Sequence, residues 1–254
     1  MRCVSRLRAV AILCLLPILS ANSNGAVITT PYGNFAGSTI IYQNVREAST
    51  AGALFGAPTL VADDTLVFSP TNFHSTLSSG PLTEIVDSQA RFTVVAKPNE
   101  FIPQLKFSEK GVVSIDAPST GFAMASVGTA IFYHIRAING ILIDGPSGGV
   151  NLPLTPSSGS FNTDDDGTLT NAPWSGFRTI NFDSIIAATP GFSGRATQVE
   201  ITFDNALATL NFGGRLASIR KNEVRISVPE ASSGILMLAG TMLGGSLYWA
   251  RRRS

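Results

Sequence analysis

Short runs that alternate apolar and polar residues are the feature that most limits what this chain can fold into. In Val199–Phe203 the apolar residues occupy the odd positions and polar residues the even ones. This period of two places one face of a strand against a core and the other in solvent. We expect Asp204 and Asn205 to form a turn and Leu207–Phe212 to return as the second strand of a hairpin.

Similar runs recur along the chain, and 24 Gly and 14 Pro residues separate them. Long amphipathic helical patterns are not evident. The composition therefore predicts an all-β fold, a β-sandwich or jelly roll of about ten strands in one domain. The long segment Gly145–Ser160 is predicted to be a loop. The other predicted strands are Ile40–Val45, Thr65–Phe68, Ala90–Ala96, Gln104–Phe107, Val112–Ile115, Ala130–Ile138, Ile141–Ile143, Arg178–Phe182 and Val224–Val228.

The charge distribution bears on the class of partner. Six of the 18 Lys and Arg residues lie in the two terminal segments, which leaves 12 basic and 16 acidic side chains between residues 27 and 229, a net charge of −4. Nucleic-acid binding requires clustered basic residues that release counterions, so this mildly acidic region argues against a nucleic-acid partner. The only cysteines are Cys3 and Cys14, and the rest of the chain can form no disulfide.

The N-terminus has the layout of a secretory signal peptide. Three arginines precede the apolar run Ala9–Leu19, and the small and polar stretch Ser20–Ala26 follows. The apolar run has about 11 residues, too short to span a bilayer, which needs about 20. Residues 1–25 are therefore predicted to be cleaved, so that the mature chain begins between Asn24 and Val27 without either cysteine.

The C-terminus carries a second hydrophobic segment. The stretch Ala231–Ala250 contains no charged residue, and Arg251, Arg252 and Arg253 follow it. About 20 helical residues span roughly 30 Å, one hydrocarbon thickness, which predicts a transmembrane helix over residues 232–250. The arginines act as a membrane stop on the cytoplasmic side by the positive-inside rule. Residues 26–228 are then outside, as the signal peptide also requires.

The order of these features resembles the PEP-CTERM sorting tail of bacterial surface proteins. The motif region is Val228, Pro229, Glu230, Ala231 and Ser232. Pro229 and Glu230 match the first two motif positions, and Ala231 stands where the family usually has a second Pro. The resemblance implies that residues 229–254 are a sorting tail, read by an exosortase, a membrane transpeptidase that transfers its substrates to the cell surface. The alternative is an ordinary single-span anchor.

One segment has the spacing of a calcium loop. Asn162, Asp164 and Asp166 alternate before Gly167, which lets oxygen ligands from one tight turn converge on a hard cation. The twelfth loop position is Pro173 instead of the bidentate Glu of an EF-hand. The segment predicts either a calcium site or a solvated Asp-rich turn. The sequence predicts no other cofactor.

The other candidate residues favour structural roles. Asp63 and Asp64 open a predicted strand and could serve acid/base chemistry or a second cation site, but adjacent strand residues point to opposite faces and do not readily flank one substrate bond. His134 is expected on a half-exposed strand face rather than as a base or ligand. Trp174, with Phe177 and Tyr133, predicts either core packing or an aromatic platform for sugars.

No serine-hydrolase, zinc-protease or phosphate-loop motif occurs in the sequence. The chain is therefore predicted to be a non-enzymatic exported protein of the cell surface or extracellular matrix, with a structural, adhesive or glycan-binding role. Its expected location is first a membrane-anchored precursor and then the cell surface, the outer membrane or the matrix, with extracellular polysaccharide as a partner. The alternative is a secreted carbohydrate-active or other hydrolytic enzyme on a β-sandwich.

Overall fold

The computed structural model describes residues 26–62, 64–78, 83–116, 121–156, 158–212 and 216–229. Within them the chain is all-β, as the alternation predicted, although it has 15 strands instead of about ten, and one short helix. The elements are β1 (Ile28–Ala36), β2 (Ile40–Ser49), β3 (Thr59–Val61), β4 (Thr65–Phe68), β5 (His74–Leu77), β6 (Thr83–Ala96), β7 (Gln104–Ile115), β8 (Phe122–Ile138), β9 (Ile141–Leu142), β10 (Ser147–Asn151), β11 (Leu154–Thr155), β12 (Ser160–Asn162), β13 (Leu169–Asn181), α1 (Phe182–Ala188), β14 (Ala196–Phe212) and β15 (Ala217–Ser227).

The strands form two antiparallel sheets. Sheet A has the order β1-β2-β6-β14-β8-β10, with β9 and β12 also paired to β8. Sheet B has the order β11-β13-β7-β15-β4-β3, with β5 also paired to β15. Alternate side chains of both sheets point into one shared core, because successive residues of a strand face opposite sides. The largest fully buried apolar side chains of this core include Tyr42, Phe55, Phe68, Phe73, Phe107, Phe182 and Phe203.

The predicted hairpin at Asp204 and Asn205 is wrong. Both residues lie inside β14, which runs unbroken from Ala196 to Phe212 and pairs with β6 on one side and β8 on the other. The period of two continues through the pair: Asn205 points into the core and is buried, while Asp204 lies on the outer face. Asn205 therefore belongs to a polar cluster in the core, and the two residues do not form a turn.

The segment Gly145–Ser160, predicted as a loop, contains β10 and β11 and the first residue of β12, so that prediction is also wrong. β10 is rich in glycine and pairs with β8 along its whole length. A Cβ at Gly149 would lie 2.8 Å from the Phe132 ring. The missing side chain thus leaves room for that ring on the sheet surface. Small residues here serve close packing rather than turns.

Several strand boundaries also differ from the sequence prediction. The runs Gln104–Phe107 and Val112–Ile115 belong to one strand, β7. The predicted strand Arg178–Phe182 ends one residue early, at Asn181, because that residue caps α1: its Oδ1 accepts a hydrogen bond of 2.8 Å from the Ser184 amide. None of the described residues forms a helix that is long and apolar enough to cross a membrane. The predicted helix 232–250 lies outside them, as does the signal peptide 1–25.

Candidate functional site

A groove of about 300 Å³ opens on the outer face of sheet A. Strands β2, β6, β14 and β8 contribute its walls, which are polar and carry three guanidinium groups and one carboxylate. The sheet itself supplies these positions, because every second residue of each strand points outward. The lining residues are Asn44, Arg46, Arg91, Phe92, Thr93, Arg136, Gln198 and Glu200. We call this feature the arginine groove.

Two of the guanidinium groups lie on directly opposed residues. Arg46 of β2 and Arg91 of β6 are cross-strand partners, and both side chains are exposed. Within the described parts of the chain, neither guanidinium has an ion-pair or hydrogen-bond partner. Like charges that face each other across two strands lower the stability of a sheet. The arrangement therefore creates an unneutralised positive site that an anionic group can occupy.

A row of cross-strand neighbours leads from Arg46 and Arg91 of the groove across sheet A. The row has one residue on each of five neighbouring strands: Arg46 on β2, Arg91 on β6, Thr202 on β14, Phe132 on β8 and Gly149 on β10. Four inter-strand steps give a row about 19 Å long. The Phe132 side chain is 48% exposed, which leaves an apolar surface on the sheet beside the charged end. The row thus combines anion-binding groups with an aromatic platform.

His134 lies at the β8 edge of the groove and pairs with an acid, on the half-exposed strand face that the sequence predicted. Its Nε2 lies 2.9 Å from Asp144 Oδ1, and Arg136 Nη1 lies 3.3 Å from its Nδ1. The Asp144 side chain is 91% exposed, so solvent screens this pair strongly. The histidine therefore orients Arg136 at the groove wall rather than forming a buried catalytic dyad.

Asp204 lies on the same outer face, one row from Arg91. Burial raises the pKa of its carboxyl, and the nearby Asp87 carboxylate raises it further. An acid whose pKa is higher in the folded than in the unfolded state binds more protons when folded, so its contribution to stability falls as the pH rises through that range. At neutral pH the charged Asp204 is therefore unfavourable for folding.

We expect Asp204→Asn to stabilise the protein at pH 7 by up to about 1 kcal/mol, since solvent screens a half-exposed carboxylate. The gain should shrink as the pH falls and Asp204 becomes protonated. Urea unfolding of both proteins at pH 7 and pH 4 measures this difference. Asp87→Asn removes only the repulsion and leaves Asp204 partly buried, so it should give a smaller gain of the same sign. A variant less stable than the unmutated protein at pH 7 would contradict the assignment.

The predicted calcium residues lie in a turn held by its own hydrogen bonds. Asn162 Oδ1 accepts from the amides of Asp164 and Asp165 at 3.0 and 2.9 Å. Asp166 Oδ2 accepts from the Asn162 amide at 2.9 Å. Among the described residues, no group of three or more His, Cys, Asp and Glu side chains is arranged to hold a metal ion. Calcium binding by Asn162, Asp164 and Asp166 stays a prediction.

Asp64 has a structural role in the turn between β1 and β2. Its carboxylate accepts hydrogen bonds from the amides of Ser38 and Thr39 and from the Thr39 hydroxyl. A Cβ at Gly37 would collide with this carboxylate, so the turn needs glycine there. Asp63 lies outside the described residues.

The three aromatic residues that could have formed a sugar platform are not brought together. Trp174 is 2% exposed and belongs to the core. Tyr133 packs edge-on against Phe182, with ring centroids 5.9 Å apart. Phe177 is exposed on the outer face of sheet B. Core packing, the favoured interpretation, holds for Trp174, and the exposed ring beside the arginine groove is Phe132.

Sequence reasoning did not identify Arg46, Arg91 or Arg136 as site residues. Arg46 and Arg91 are 45 residues apart, and so are Arg91 and Arg136, so no local motif joins the three. Their alternation with apolar neighbours indicates an outward direction, but only the register of β2, β6 and β8 places them on one groove. Of the predicted sorting motif, Val228 is buried and Pro229 is partly buried at the end of the domain. Glu230, Ala231, Ser232 and the membrane-stop residues Arg251, Arg252 and Arg253 lie outside the described residues.

No family model and no curated protein matches this chain. Solved structures that align with it include the enzymatically active domain of tailspike protein 4 from bacteriophage CBA120, at 10% identity and a TM-score of 0.24 over 79% of this chain and 19% of that one. The xylan-binding module CBM15 aligns at 14% identity and a TM-score of 0.22, over 81% of this chain and 100% of the module. Xylanase10C from Cellvibrio japonicus, in complex with xylopentaose, aligns at 11% identity and a TM-score of 0.22, over 81% of this chain and 29% of the xylanase. This chain thus spans about a fifth of the tailspike domain, and these TM-scores do not establish a shared fold.

Proposed function

We propose that this chain is an exported surface protein whose β-sandwich binds acidic extracellular polysaccharide through the arginine groove. The observation that carries the proposal is the opposition of Arg46 and Arg91, two exposed guanidinium groups with no ion-pair partner in the described residues. A guanidinium presents donors in a planar fork that matches a carboxylate or sulfate group. A sugar acid offers such a group together with an apolar ring face, and the row from Arg46 to Phe132 offers a complement for both.

The extended shape of the site favours a polymer over a small molecule. The row of side chains runs about 19 Å across five strands, and the groove lies at its charged end, where Arg46 and Arg91 line it. The lining combines three guanidinium groups with Glu200, Gln198, Asn44 and Thr93, which can donate to and accept from sugar hydroxyls. Glu200 alone does not form the carboxylate pair that glycoside hydrolysis uses, so binding is the function that we propose.

The delivery route is proposed from the two ends of the sequence. Signal-peptide residues 1–25 direct export, and the tail 229–254 holds the precursor in the membrane until an exosortase-type transpeptidase acts on it. Val228 is 1% exposed and packs in the core just before Pro229. A cut beyond Val228 therefore leaves the sandwich intact. The processed protein then resides at the cell surface, the outer membrane or the extracellular matrix.

We expect the mature protein to bind a polyuronate such as alginate and to bind neutral dextran far more weakly. Arg46→Gln combined with Arg91→Gln should weaken alginate binding by at least about tenfold, since each lost charge-assisted contact contributes about 1 to 2 kcal/mol. Binding should also weaken as the salt concentration rises, because exposed charges are screened. Isothermal titration calorimetry at low and high salt measures both effects.

The matched control removes two charges from the other face of the domain. Lys106→Gln combined with Arg220→Gln lies on the outer face of sheet B and changes the net charge equally. This control should bind alginate as the unmutated protein does. Equal loss of binding in both double variants would show that net charge alone attracts the polymer, and equal affinity for dextran and alginate would refute an anion-specific groove.

A further inference from the structure

Four polar side chains meet in the core between the sheets, where polar groups are rare. Lys221 of β15 and Glu109 of β7 have fully buried side chains and form an ion pair. Lys221 Nζ also contacts Oδ1 of Asn205, which is 1% exposed on β14 of the opposite sheet. Thr129 Oγ1 of β8 lies 2.6 Å from Glu109 Oε1 and 3.1 Å from Asn205 Oδ1. The Lys221 amine therefore contacts both a carboxylate and a carboxamide, and the Thr129 hydroxyl lies between these two groups.

Aromatic rings enclose the amine of this cluster. Lys221 Nζ lies 5.4 Å from the ring centroid of Trp174, 5.6 Å from that of Phe73 and 6.0 Å from that of Phe203. Gly111, the cross-strand partner of Lys221, makes room for the indole, because a Cβ there would lie 2.4 Å from Trp174. Burial lowers the pKa of Lys221, although the Glu109 carboxylate opposes that shift. Burial of the amine thus favours its neutral, nucleophilic form.

Within the part of the chain that the structure describes, only the oxygen of the Asn205 carboxamide makes hydrogen bonds. Its Oδ1 accepts from Lys221, whereas its Nδ2 is buried without a hydrogen-bond partner among the described residues. A buried amide nitrogen normally donates its hydrogen bonds, and leaving it unpaired costs free energy. This nitrogen is also the group that would depart if an amine attacked Asn205 Cγ. The atom without a hydrogen-bond partner, Asn205 Nδ2, is thus the same atom that would leave in an acyl transfer from Asn205 to an amine.

We propose that Lys221 and Asn205 join covalently, through an amide bond between Lys221 Nζ and Asn205 Cγ that forms within the folded sandwich. Glu109 carries the protons of the reaction. The bond connects β14 of sheet A to β15 of sheet B through the core. It supplies a covalent link to a domain whose residues from 26 onward include no cysteine.

The reaction balances without a co-reactant. Glu109 takes one proton from the Lys221 ammonium, and the nitrogen lone pair attacks Asn205 Cγ while the carbonyl π electrons move to Oδ1. The Thr129 hydroxyl, beside Oδ1, stabilises the developing negative charge. Glu109 delivers its proton to Nδ2 and accepts one from Nζ. The Cγ–Nδ2 bond then breaks, ammonia leaves with the bonding electrons, and the carbonyl re-forms, with Glu109 left protonated.

The linked protein differs from the unlinked one by a defined mass and a defined peptide. Trypsin cuts after Arg195, Arg215, Arg220 and Arg225 and, where the amine is free, after Lys221. The bond should join peptide 196–215 to peptide 221–225 and lower their summed mass by one ammonia, about 17 Da, because an amine replaces the amide nitrogen. Tandem mass spectrometry of the full chain, purified after expression, should find this branched peptide. Fragmentation also distinguishes it from cyclisation of an asparagine, which loses the same mass without joining peptides.

Two variants separate the chemistry from the fold. Glu109→Gln keeps the size of the side chain but removes the proton carrier, so the branched peptide should disappear from a protein that retains its β-sheet circular dichroism. Lys106→Gln removes a lysine from the outer face of the same strand and should retain the branched peptide. Finding peptide 196–215 unlinked in folded, unmutated protein would overturn the proposal and leave a buried ion pair only. A full yield of branched peptide in Glu109→Gln would overturn the role of Glu109.

Discussion

Replacing Glu47 with alanine should destabilise the sandwich by about 4 kcal/mol, because a single buried carboxylate holds a core segment through four hydrogen bonds. Glu47 is 1% exposed on β2. Its Oε1 accepts from the amides of Leu54 and Phe55 at 2.6 and 2.9 Å and from the Ser88 hydroxyl at 2.6 Å. Its Oε2 accepts from the Tyr32 hydroxyl at 2.7 Å. Alanine would leave two buried amides without acceptors.

The size of the effect follows from what those amides position. Phe55 packs against three core rings, with centroid distances of 5.6 Å to Phe68, 5.1 Å to Phe73 and 6.1 Å to Phe203. Losing the anchor of residues 54 and 55 therefore also loosens aromatic packing. For a domain of about 200 residues, this loss should lower the melting temperature by roughly 8 to 16 °C. Differential scanning calorimetry measures it.

Glu47→Gln is the matched control for this prediction. A glutamine keeps a carbonyl oxygen where Oε1 accepts three hydrogen bonds, and its Nε2 can donate to the Tyr32 oxygen. We therefore expect most of the stability to remain. If the glutamine variant melted as low as the alanine variant, the negative charge and not the hydrogen-bond geometry would be what stabilises the segment. A melting temperature unchanged by alanine would contradict the anchoring role altogether.

The fold class was predictable from the sequence, because alternation is a local signal. The strand Thr65–Phe68 was predicted with the bounds that the structure has, and most other predicted strands lie within observed ones. The errors arose where local chemistry pointed one way and tertiary contacts the other. Asp204 and Asn205 have the composition of a turn, but β6 and β8 pair with both of them, and Asn205 finds polar partners in the core.

The arginine groove and the core cluster were not predictable, because both depend on register. Lys221 and Asn205 are 16 residues apart on consecutive strands of opposite sheets, and Glu109 lies 112 residues from Lys221. Single charged residues in alternating strands ordinarily face solvent. The available signal for a buried lysine was the position of Lys221 on the apolar face of β15. The bulge between Lys221 and Glu223 shifts the alternation at that point and hides this signal.

The proposed bond and the proposed sorting tail meet on one strand. β15 is the last strand among the described residues, and the chain continues from it through Val228 into Pro229. Force applied to the tail of an anchored protein would therefore enter the sandwich through β15. A covalent link from Lys221 to Asn205 would carry that force to β14, which pairs with β6 and β8 in the centre of sheet A. Without the bond, such a force would pull β15 out of the sandwich first. The covalent bond would hold β15 in place.

Changing Pro229 and Glu230 to alanine should abolish processing in a host that has an exosortase and leave the full-length protein in the membrane fraction. Proline restricts the residue before it to extended conformations and disfavours helix there. In the proposed sorting tail, the chain before the span would thereby be kept extended, and Glu230 would present a charge just outside the bilayer where a membrane protease could bind it. A plain transmembrane anchor needs neither feature.

The control for this experiment is Ser233→Ala, which changes a residue beyond the motif and should be processed normally. Replacing Arg251, Arg252 and Arg253 with serine should instead impair retention before processing, because these charges would fix the cytoplasmic end of the proposed span. Membrane fractionation followed by C-terminal mass spectrometry distinguishes the three outcomes. Release of the Pro229→Ala/Glu230→Ala variant at the normal rate and with the normal C-terminus would mean that the motif does not direct sorting and that the tail acts as a transmembrane anchor.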